Sequence, residues 1–205
     1  PAPLLRLGIL RSGSLVRANL AGLLFAAAFF GFQFIAVLYL QELRGWSSME
    51  TSLAMLAIGA DAVLAPTLTP RLVDRFGNGR VILGGLLLAV LSYVLFLPIG
   101  TDTVYLAMFP TMIILGLSFA LAYGPLTIVA TEGVDEGEQG VAGGLLYTSF
   151  QFGAALGLAA STAVIVAAGE GDPLGAYRAA LAVPIAAAVL AAAFSAFGIR
   201  KESLR

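Results

Sequence analysis

Several kinds of reactive residue are scarce or missing in this sequence of 205 residues. It contains no cysteine and no histidine, which excludes disulfide frameworks, Cys/His zinc sites, thiol nucleophiles and Ser–His triads. Lys201 is the only lysine and Arg200, not a glycine, stands immediately before it, so the sequence has no P-loop. We therefore expect no metal site, no cofactor and no enzymatic activity.

Charged residues are also scarce. They make up 11% of the chain, against about 25% in an ordinary soluble domain. Hydrophobic residues make up 60% and the mean hydropathy is +0.96, which is too apolar both for a water-facing surface and for a disordered chain. The net charge of −1 offers no basic face to nucleic acid. The composition predicts a protein embedded in a lipid bilayer.

Long apolar runs recur along the chain. A bilayer core about 30 Å thick is crossed by a helix of about 20 apolar residues. Six stretches meet this length, at residues 18–41, 52–69, 81–99, 104–130, 141–168 and 177–199. They predict an all-α fold, an integral membrane six-helix bundle over residues 18–199. Residues 1–17 are then a linker and residues 200–205 a tail.

The positions of the basic residues predict the orientation of this bundle, because loops rich in Lys and Arg remain cytoplasmic. Only Arg44 and Arg178 fall on one side of the six-span zigzag. The other nine basic residues fall on the opposite side, at Arg6, Arg11, Arg17, Arg71, Arg75, Arg80, Arg200, Lys201 and Arg205. Both termini are therefore expected in the cytoplasm, and the linker and tail with them.

Polar residues are distributed unevenly among the spans. The third and sixth spans are almost purely aliphatic, whereas the first, second, fourth and fifth contain amides, hydroxyls and one carboxylate. Buried polar groups need partners or a water-filled cavity, so these four spans are expected to line a cavity and the other two to face lipid. The pattern repeats after three spans, which indicates a three-plus-three inverted repeat, a feature of secondary transporters.

Asp61 is the only ionisable residue well inside a predicted span. An intramembrane carboxylate relays protons, binds an ion or balances a cationic substrate, although a protonated Asp can also simply bond a neighbouring helix. Gln33 and Gln151 are the two mid-span amides, and they can either orient a ligand or join helices. These three residues are our candidates for a pathway of substrate and proton.

Small residues at four-residue spacing mark the fifth span, as Gly140 with Gly144 and Gly153 with Gly157. Such spacing lets helix backbones approach closely. We expect both pairs to pack tightly against a neighbouring helix.

The segment Pro70-Arg71-Leu72-Val73-Asp74-Arg75-Phe76-Gly77-Asn78-Gly79-Arg80 lies between the second and third spans. It resembles the loop signature G-x-L-a-D-R-x-G-R-R of the major facilitator superfamily. Leu72, Asp74, Arg75 and Gly77 match the signature, and Arg80 supplies a basic residue just beyond it. Asp74 can approach the N-terminal dipole of the third span, and Arg75 can pair with nearby acids. Asp74, Arg75, Gly77 and Arg80 are therefore candidates for a gating loop, although a simple tight turn explains the same residues.

Two glycine-rich stretches, at 140–144 and 151–157, extend this resemblance. The whole chain is similar to the C-terminal half of the fourteen-span drug:proton antiporters of that superfamily. The resemblance implies proton-coupled efflux of a small-molecule substrate by alternating access at the plasma membrane. It also implies that a matching N-terminal half belongs upstream and holds the usual coupling acid. A nutrient or metabolite importer of the same superfamily and a non-transporting membrane sensor or scaffold are the alternatives.

Overall fold

A computed structural model of the chain describes residues 13–169 and 171–202, with side chains described as far as residue 199. The described residues form helices joined by short turns, and no strand occurs among them. Six helical segments are long and apolar enough to cross a membrane, and we number them span one to span six. They cover Gly13–Leu43, Ser48–Phe76, Asn78–Phe96, Tyr105–Thr131, Glu136–Ala168 and Pro173–Ile199.

The helices within these spans are not all continuous. The α-helices are Gly13–Leu38, Ser48–Met55, Asp61–Phe76, Asn78–Phe96, Tyr105–Thr131, Gln139–Ala168, Pro173–Ala180 and Ala182–Glu202. Span one ends in a π-helical turn at Tyr39–Leu43, and short 3₁₀ turns lie at Ile58–Ala60 and Glu136–Glu138. Residues 13–17 of the predicted linker and 200–202 of the predicted tail are helical, whereas residues 1–12 and 203–205 lie outside the described part of the chain.

Local sequence explains where several spans begin. Ser47 precedes span two and accepts a hydrogen bond from the Glu50 amide, while the Glu50 carboxylate accepts one from the Ser47 amide. This reciprocal capping box satisfies two amides that a helix start otherwise leaves unpaired. At the start of span six, the Asp172 side chain accepts a single hydrogen bond from the Gly175 amide at 2.9 Å. Pro173 occupies the first helical position, where its missing N–H is harmless.

Span two is broken near its middle. Its first helix ends at Met55, a 3₁₀ turn covers Ile58–Ala60, and a second helix begins at Asp61. Hydrogen bonds between residues three apart, as in a 3₁₀-helix, stabilise the break. For example, the Gly59 amide donates to the Leu56 carbonyl at 2.9 Å. The break was not predicted, since we expected one continuous span.

The packing of the spans repeats with a period of three. Span one packs mainly against spans five and six, just as span four packs against spans two and three, and spans three and six also pack together. Because each repeat has three spans, the second repeat enters the membrane from the opposite side to the first. The two repeats are therefore inverted with respect to one another, which confirms the predicted bundle.

Glycines set the closest helix contacts. A Cβ atom built on Gly153 would overlap the carbonyl of Leu23, and one on Gly157 would overlap the carbonyl of Ala27. The close packing expected of Gly153 and Gly157 is confirmed. It is wrong for Gly140 and Gly144, where a Cβ would meet nothing within 4 Å, because the face of span five that carries these two glycines is not covered by another described helix. In the other repeat, Gly116 of span four lies equally close to Ile58 at the break in span two.

Spans two and five are the least covered. Only 17% of the most apolar stretch of span two and 22% of that of span five are buried, against 61% for span one and 50% for span four. Spans three and six are partly buried, and each presents large apolar side chains outward, among them Leu87 and Leu91 on span three and Leu190 and Phe197 on span six. Such faces suit contact with lipid, as expected for these two spans.

Candidate functional site

Aromatic side chains from three spans meet in one cluster, which we call the aromatic wall. The ring centroids of Phe29 and Phe119 are 4.7 Å apart, those of Phe119 and Tyr123 are stacked at 5.2 Å, and those of Phe30 and Phe150 are 5.9 Å apart. Span one supplies three of the rings, span four two and span five one; the members are Phe25, Phe29, Phe30, Phe119, Tyr123 and Phe150.

The aromatic wall has a buried side and an accessible side. Phe25 is completely buried, whereas Phe30, Phe119 and Tyr123 are only half-buried. Ring faces that remain accessible can stack on flat apolar groups and can attract cations. Sequence reasoning missed this cluster, although Phe25 with Phe29 and Phe119 with Tyr123 each recur at a four-residue spacing that places both rings on one helix face.

Gln33 and Asp61 lie at a similar depth in the bundle. Spans one and four run in opposite directions, and Phe29 contacts Phe119. One turn beyond Phe29 is Gln33, and about one turn before Phe119 is Gly116, so these two residues are level. A Cβ on Gly116 would lie 3.4 Å from the Asp61 amide nitrogen, which brings Asp61 to the same level on the other side of span four.

Asp61 is the first residue of the second helix of span two, near the middle of the span. Its side chain is half-buried, and no other side chain in residues 13–169 or 171–199 forms a hydrogen bond or ion pair with it. A carboxylate at this position is favoured by the positive end of the helix dipole. The break in span two therefore gives a mid-membrane acid a local stabilising partner while leaving its oxygens available to a proton or a ligand.

Gln151 does not lie close to Gln33 and Asp61, the other two candidates. Spans one and five run parallel, and Gly153 lies against Leu23, so Gln151 is roughly level with the turn of span one around Ala21. That turn is about ten to twelve residues before Gln33, which corresponds to a separation on the order of 15 Å along the axis. Gln151 is also exposed on span five, whereas Gln33 is half-buried.

The predicted gating loop is a turn of one residue. Span two ends at Phe76 and span three begins at Asn78, with Gly77 between them at φ 80° and ψ 158°. This region is essentially restricted to glycine, which explains the residue at that position. Asp74, Arg75 and Arg80 are exposed. The structure records no ion pair for these three within its described ranges, and the Arg75 guanidinium lies over the Phe76 ring at 5.3 Å.

At the end of the bundle opposite the Gly77 turn, the two arginines, Arg44 and Arg178, both donate hydrogen bonds. The Arg178 Nε donates to the carbonyl of Ile99 at 2.9 Å, and Arg44 donates to the carbonyl of Thr103. The buried Tyr39 hydroxyl donates to the carbonyl of Gly100 at 2.6 Å. All three carbonyls belong to the loop between spans three and four, so spans one and six are both tied to the junction of the two repeats.

The described chain is a multi-pass helical membrane bundle made of two inverted three-span repeats, the architecture of a secondary transporter. A comparison with protein families identifies a family of this same class. The family model described as Major Facilitator Superfamily matches residues 1–158 and, in a second match, residues 72–203. The chain belongs to the major facilitator superfamily, as the loop signature predicted.

Curated relatives cover most of this chain. It is 32% identical over 178 residues to the lincomycin resistance protein of Streptomyces lincolnensis, covering 85% of this chain and 37% of that protein. It is 28% identical over 170 residues to the tetracenomycin C resistance and export protein of Streptomyces glaucescens, covering 83% and 31%. A methylenomycin A resistance protein of Bacillus subtilis is 27% identical over 164 residues, covering 80% and 35%. The chain thus spans about a third of the length of these relatives.

Proposed function

We propose that this chain is the C-terminal half of a secondary active transporter that exports drug-like or other small organic compounds by alternating access. The observation that carries the proposal is its alignment, over 80–85% of its length, with proteins named for antibiotic resistance, one of them also for export. Those names favour efflux over the importer and sensor alternatives.

Efflux is tested by expressing the intact transporter that contains this chain in a drug-sensitive host. We expect it to lower the accumulation of at least one antibiotic when a proton gradient is present. The 205-residue chain alone should insert in the membrane without lowering accumulation, because alternating access as we propose it needs a second bundle, the N-terminal half, on the other side of the substrate. Equal accumulation with and without the intact protein across a broad drug panel would contradict efflux.

The N-terminal half is the partner we propose for the exposed faces of spans two and five. Both spans lie on the outside of this bundle, and Phe152 and Leu156 of span five are 63% and 56% exposed. With the two halves expressed as separate chains, Leu156→Trp should reduce their co-purification because the larger ring clashes across the interface. Leu190→Trp on the outward face of span six is the matched control and should have no effect. Equal co-purification of both variants would contradict this assignment.

Proton coupling is the role we propose for Asp61, supported by its mid-span position and by the absence, within the described part of the chain, of a side chain that hydrogen-bonds or ion-pairs with its carboxylate. Asp61→Asn keeps a residue that is tolerated at a helix start but removes the charge. It should abolish or uncouple drug-dependent proton flux in proteoliposomes while leaving the amount of inserted protein unchanged. Asp102→Asn, in the exposed loop between spans three and four, is the control. Unchanged proton flux in the Asp61 variant would refute the role.

For the substrate pathway we propose the accessible side of the aromatic wall together with Gln33. Gln151 lies at another depth, and we assign it to the part of the pathway that the exposed face of span five shares with the other half. Gln33→Leu should raise the KM for a polar drug more than for an apolar one, since only the former would use the amide. Equal KM changes for both drugs would indicate that Gln33 joins helices instead.

A gating role for the turn at Asp74, Arg75, Gly77 and Arg80 is supported by its match to the family signature and by its exposed charges. We propose that these charges pair across to the other half in one state of the cycle. Asp74→Asn should slow transport at unchanged drug affinity, whereas Arg71→Gln, one turn earlier on the same span, should not. A drug-binding defect without a rate defect would contradict gating.

The orientation that we propose, with both termini in the cytoplasm of a plasma-membrane protein, follows from the distribution of arginines. The chain has no cysteine, so single cysteines can report sidedness provided that the other half is also free of them. A membrane-impermeant maleimide added to intact cells should label Asp102→Cys and not Asp74→Cys. The reverse pattern would invert the orientation.

A further inference from the structure

The 3₁₀ turn in span two decides on which side of the span Asp61 lies. Residues three apart in an α-helix are separated by about 60° around the helix axis, because 3.6 residues complete each turn. In a 3₁₀-helix such residues eclipse one another. The turn at Ile58–Ala60 therefore brings Asp61 to the same side of span two as Ile58. Ile58 is buried against span four, so this is the side that span four covers.

Gly116 of span four touches the turn at the point that determines the position of Asp61. A Cβ on Gly116 would overlap the carbonyl oxygen of Ile58 and would lie 3.4 Å from the amide nitrogen of Asp61. The same Ile58 carbonyl accepts a hydrogen bond from the Asp61 N–H. Because backbone cannot move aside as a flexible side chain can, any residue larger than glycine would displace this carbonyl, and the start of the second helix with it.

The carboxylate of Asp61 has no side-chain contact that would compensate for such a displacement. No side chain in the described part of the chain hydrogen-bonds or ion-pairs with it. Span two packs mainly against spans three and four. Span four contains no charged residue, and the only one in span three is Arg80, in its first turn. Among the described residues, the position of Asp61 is therefore set by backbone contacts.

We propose that Gly116 is a positioning residue for Asp61. By admitting the Ile58 carbonyl it keeps residues 58–60 in the 3₁₀ turn, and the turn keeps Asp61 on the side of span two that faces span four. The inference rests on the proton-coupling role proposed above for Asp61. If the turn became a regular α-helix, Asp61 would move about 60° around the axis, away from span four. Most of the remaining surface of span two is uncovered in this bundle.

Cysteine labelling of the intact transporter, freed of its other cysteines, measures the position of residue 61 independently of transport. Asp61→Cys is labelled with N-ethylmaleimide in membranes, and the rate is compared with that of the double variant that also has Gly116→Ala. Gly116→Ala should raise the labelling rate severalfold, because residue 61 moves from a covered side of the span to an accessible one.

Gly157→Ala is the matched control. Its Cβ would likewise overlap a backbone carbonyl, that of Ala27, but this carbonyl belongs to the continuous helix Gly13–Leu38. Both substitutions should lower the Tm of the protein, whereas only Gly116→Ala should speed the labelling of Asp61→Cys. Equal labelling rates in the two backgrounds would overturn the proposal.

A second variant changes the turn without touching span four. A Cβ on Gly59 would meet nothing within 4 Å, and alanine favours a regular α-helix more than glycine does. Gly59→Ala should therefore also speed the labelling of Asp61→Cys. If Gly116→Ala does not fold, this variant decides the question, and an unchanged rate would overturn the proposal.

A transport measurement separates the positioning role from the coupling role. With Asp61 in place, the number of protons moved per drug molecule is measured in proteoliposomes. Gly116→Ala should lower this ratio, and Gly157→Ala should leave it unchanged. If Asp61→Asn abolishes proton flux but Gly116→Ala keeps the wild-type ratio, the positioning role is overturned. If Asp61→Asn leaves the flux unchanged, coupling by Asp61 is refuted, whereas faster labelling in Gly116→Ala still supports the placement of Asp61 by Gly116.

Discussion

The contact of spans one and five offers a sharp test of the packing, because two glycines on the same helix are in opposite surroundings. At Gly157 a Cβ would overlap the backbone of Ala27, whereas at Gly144 it would meet nothing within 4 Å. Backbone cannot move aside as a flexible side chain can, so Gly157→Ala requires the two helices to separate. Overpacking of this kind costs about 1–3 kcal/mol.

The control substitution should change stability in the opposite direction. Gly144→Ala adds a methyl group to an open surface and improves helix propensity by up to about 1 kcal/mol. At roughly 2–4 °C per kcal/mol for a domain of this size, Gly157→Ala should lower the Tm by roughly 2–12 °C. Gly144→Ala should leave the Tm unchanged or raise it slightly.

Both Tm values can be measured by heating the intact variants in detergent. The loss of monomeric protein on size-exclusion chromatography then reports unfolding. A Tm of Gly157→Ala equal to that of the wild type would refute the close contact at Ala27. An equal fall in both variants would show that the glycines act through something other than the packing of spans one and five.

Three other predictions follow from local contacts. Ser47→Ala removes the cap of span two, which should cost about 1 kcal/mol and speed hydrogen exchange at the Glu50 amide; unchanged exchange would contradict the capping box. Gly77→Ala should be destabilising by about 1–3 kcal/mol. Gly79→Ala should cost less, because its φ is not in the left-handed region and its Cβ would meet only side-chain atoms of Ile199, the nearest at 3.1 Å; equal Tm values would contradict the backbone constraint at Gly77. Phe119→Leu should weaken resistance to aromatic drugs more than to aliphatic ones, as drug susceptibility would show; equal loss would place the aromatic wall outside the pathway.

The number and approximate limits of the spans could be predicted because hydropathy depends only on composition along the chain. The break in span two could not, because the sequence around Gly59 and Asp61 remains apolar on average while the backbone changes from one helix to another. The prediction of a continuous span was therefore wrong at Asp61, the one carboxylate that lies well inside a predicted span.

Contacts between helices were predicted less well than the helices themselves. A four-residue glycine spacing shows that a close approach is possible, yet it does not identify the face that a neighbour covers. Gly153 and Gly157 face span one, and Gly140 with Gly144 do not. The same limit applies to Gln33 and Gln151, whose distance depends on the register of two helices, and to the aromatic wall, whose rings come from three distant parts of the sequence.

The way in which the repeats are interlocked has a consequence for biogenesis. Span one finds its main partner in span five, and span two packs on span four, so the main helix contacts of each repeat are with the other repeat. While the first three spans leave the ribosome, the groove of span one that receives Gly157 is still open, and the break at Ile58 lacks the backbone of Gly116. The bundle can therefore close only after the fifth span has been inserted. We expect a nascent chain arrested after span three to remain bound to the insertion machinery and sensitive to proteolysis, and one arrested after span six to be released.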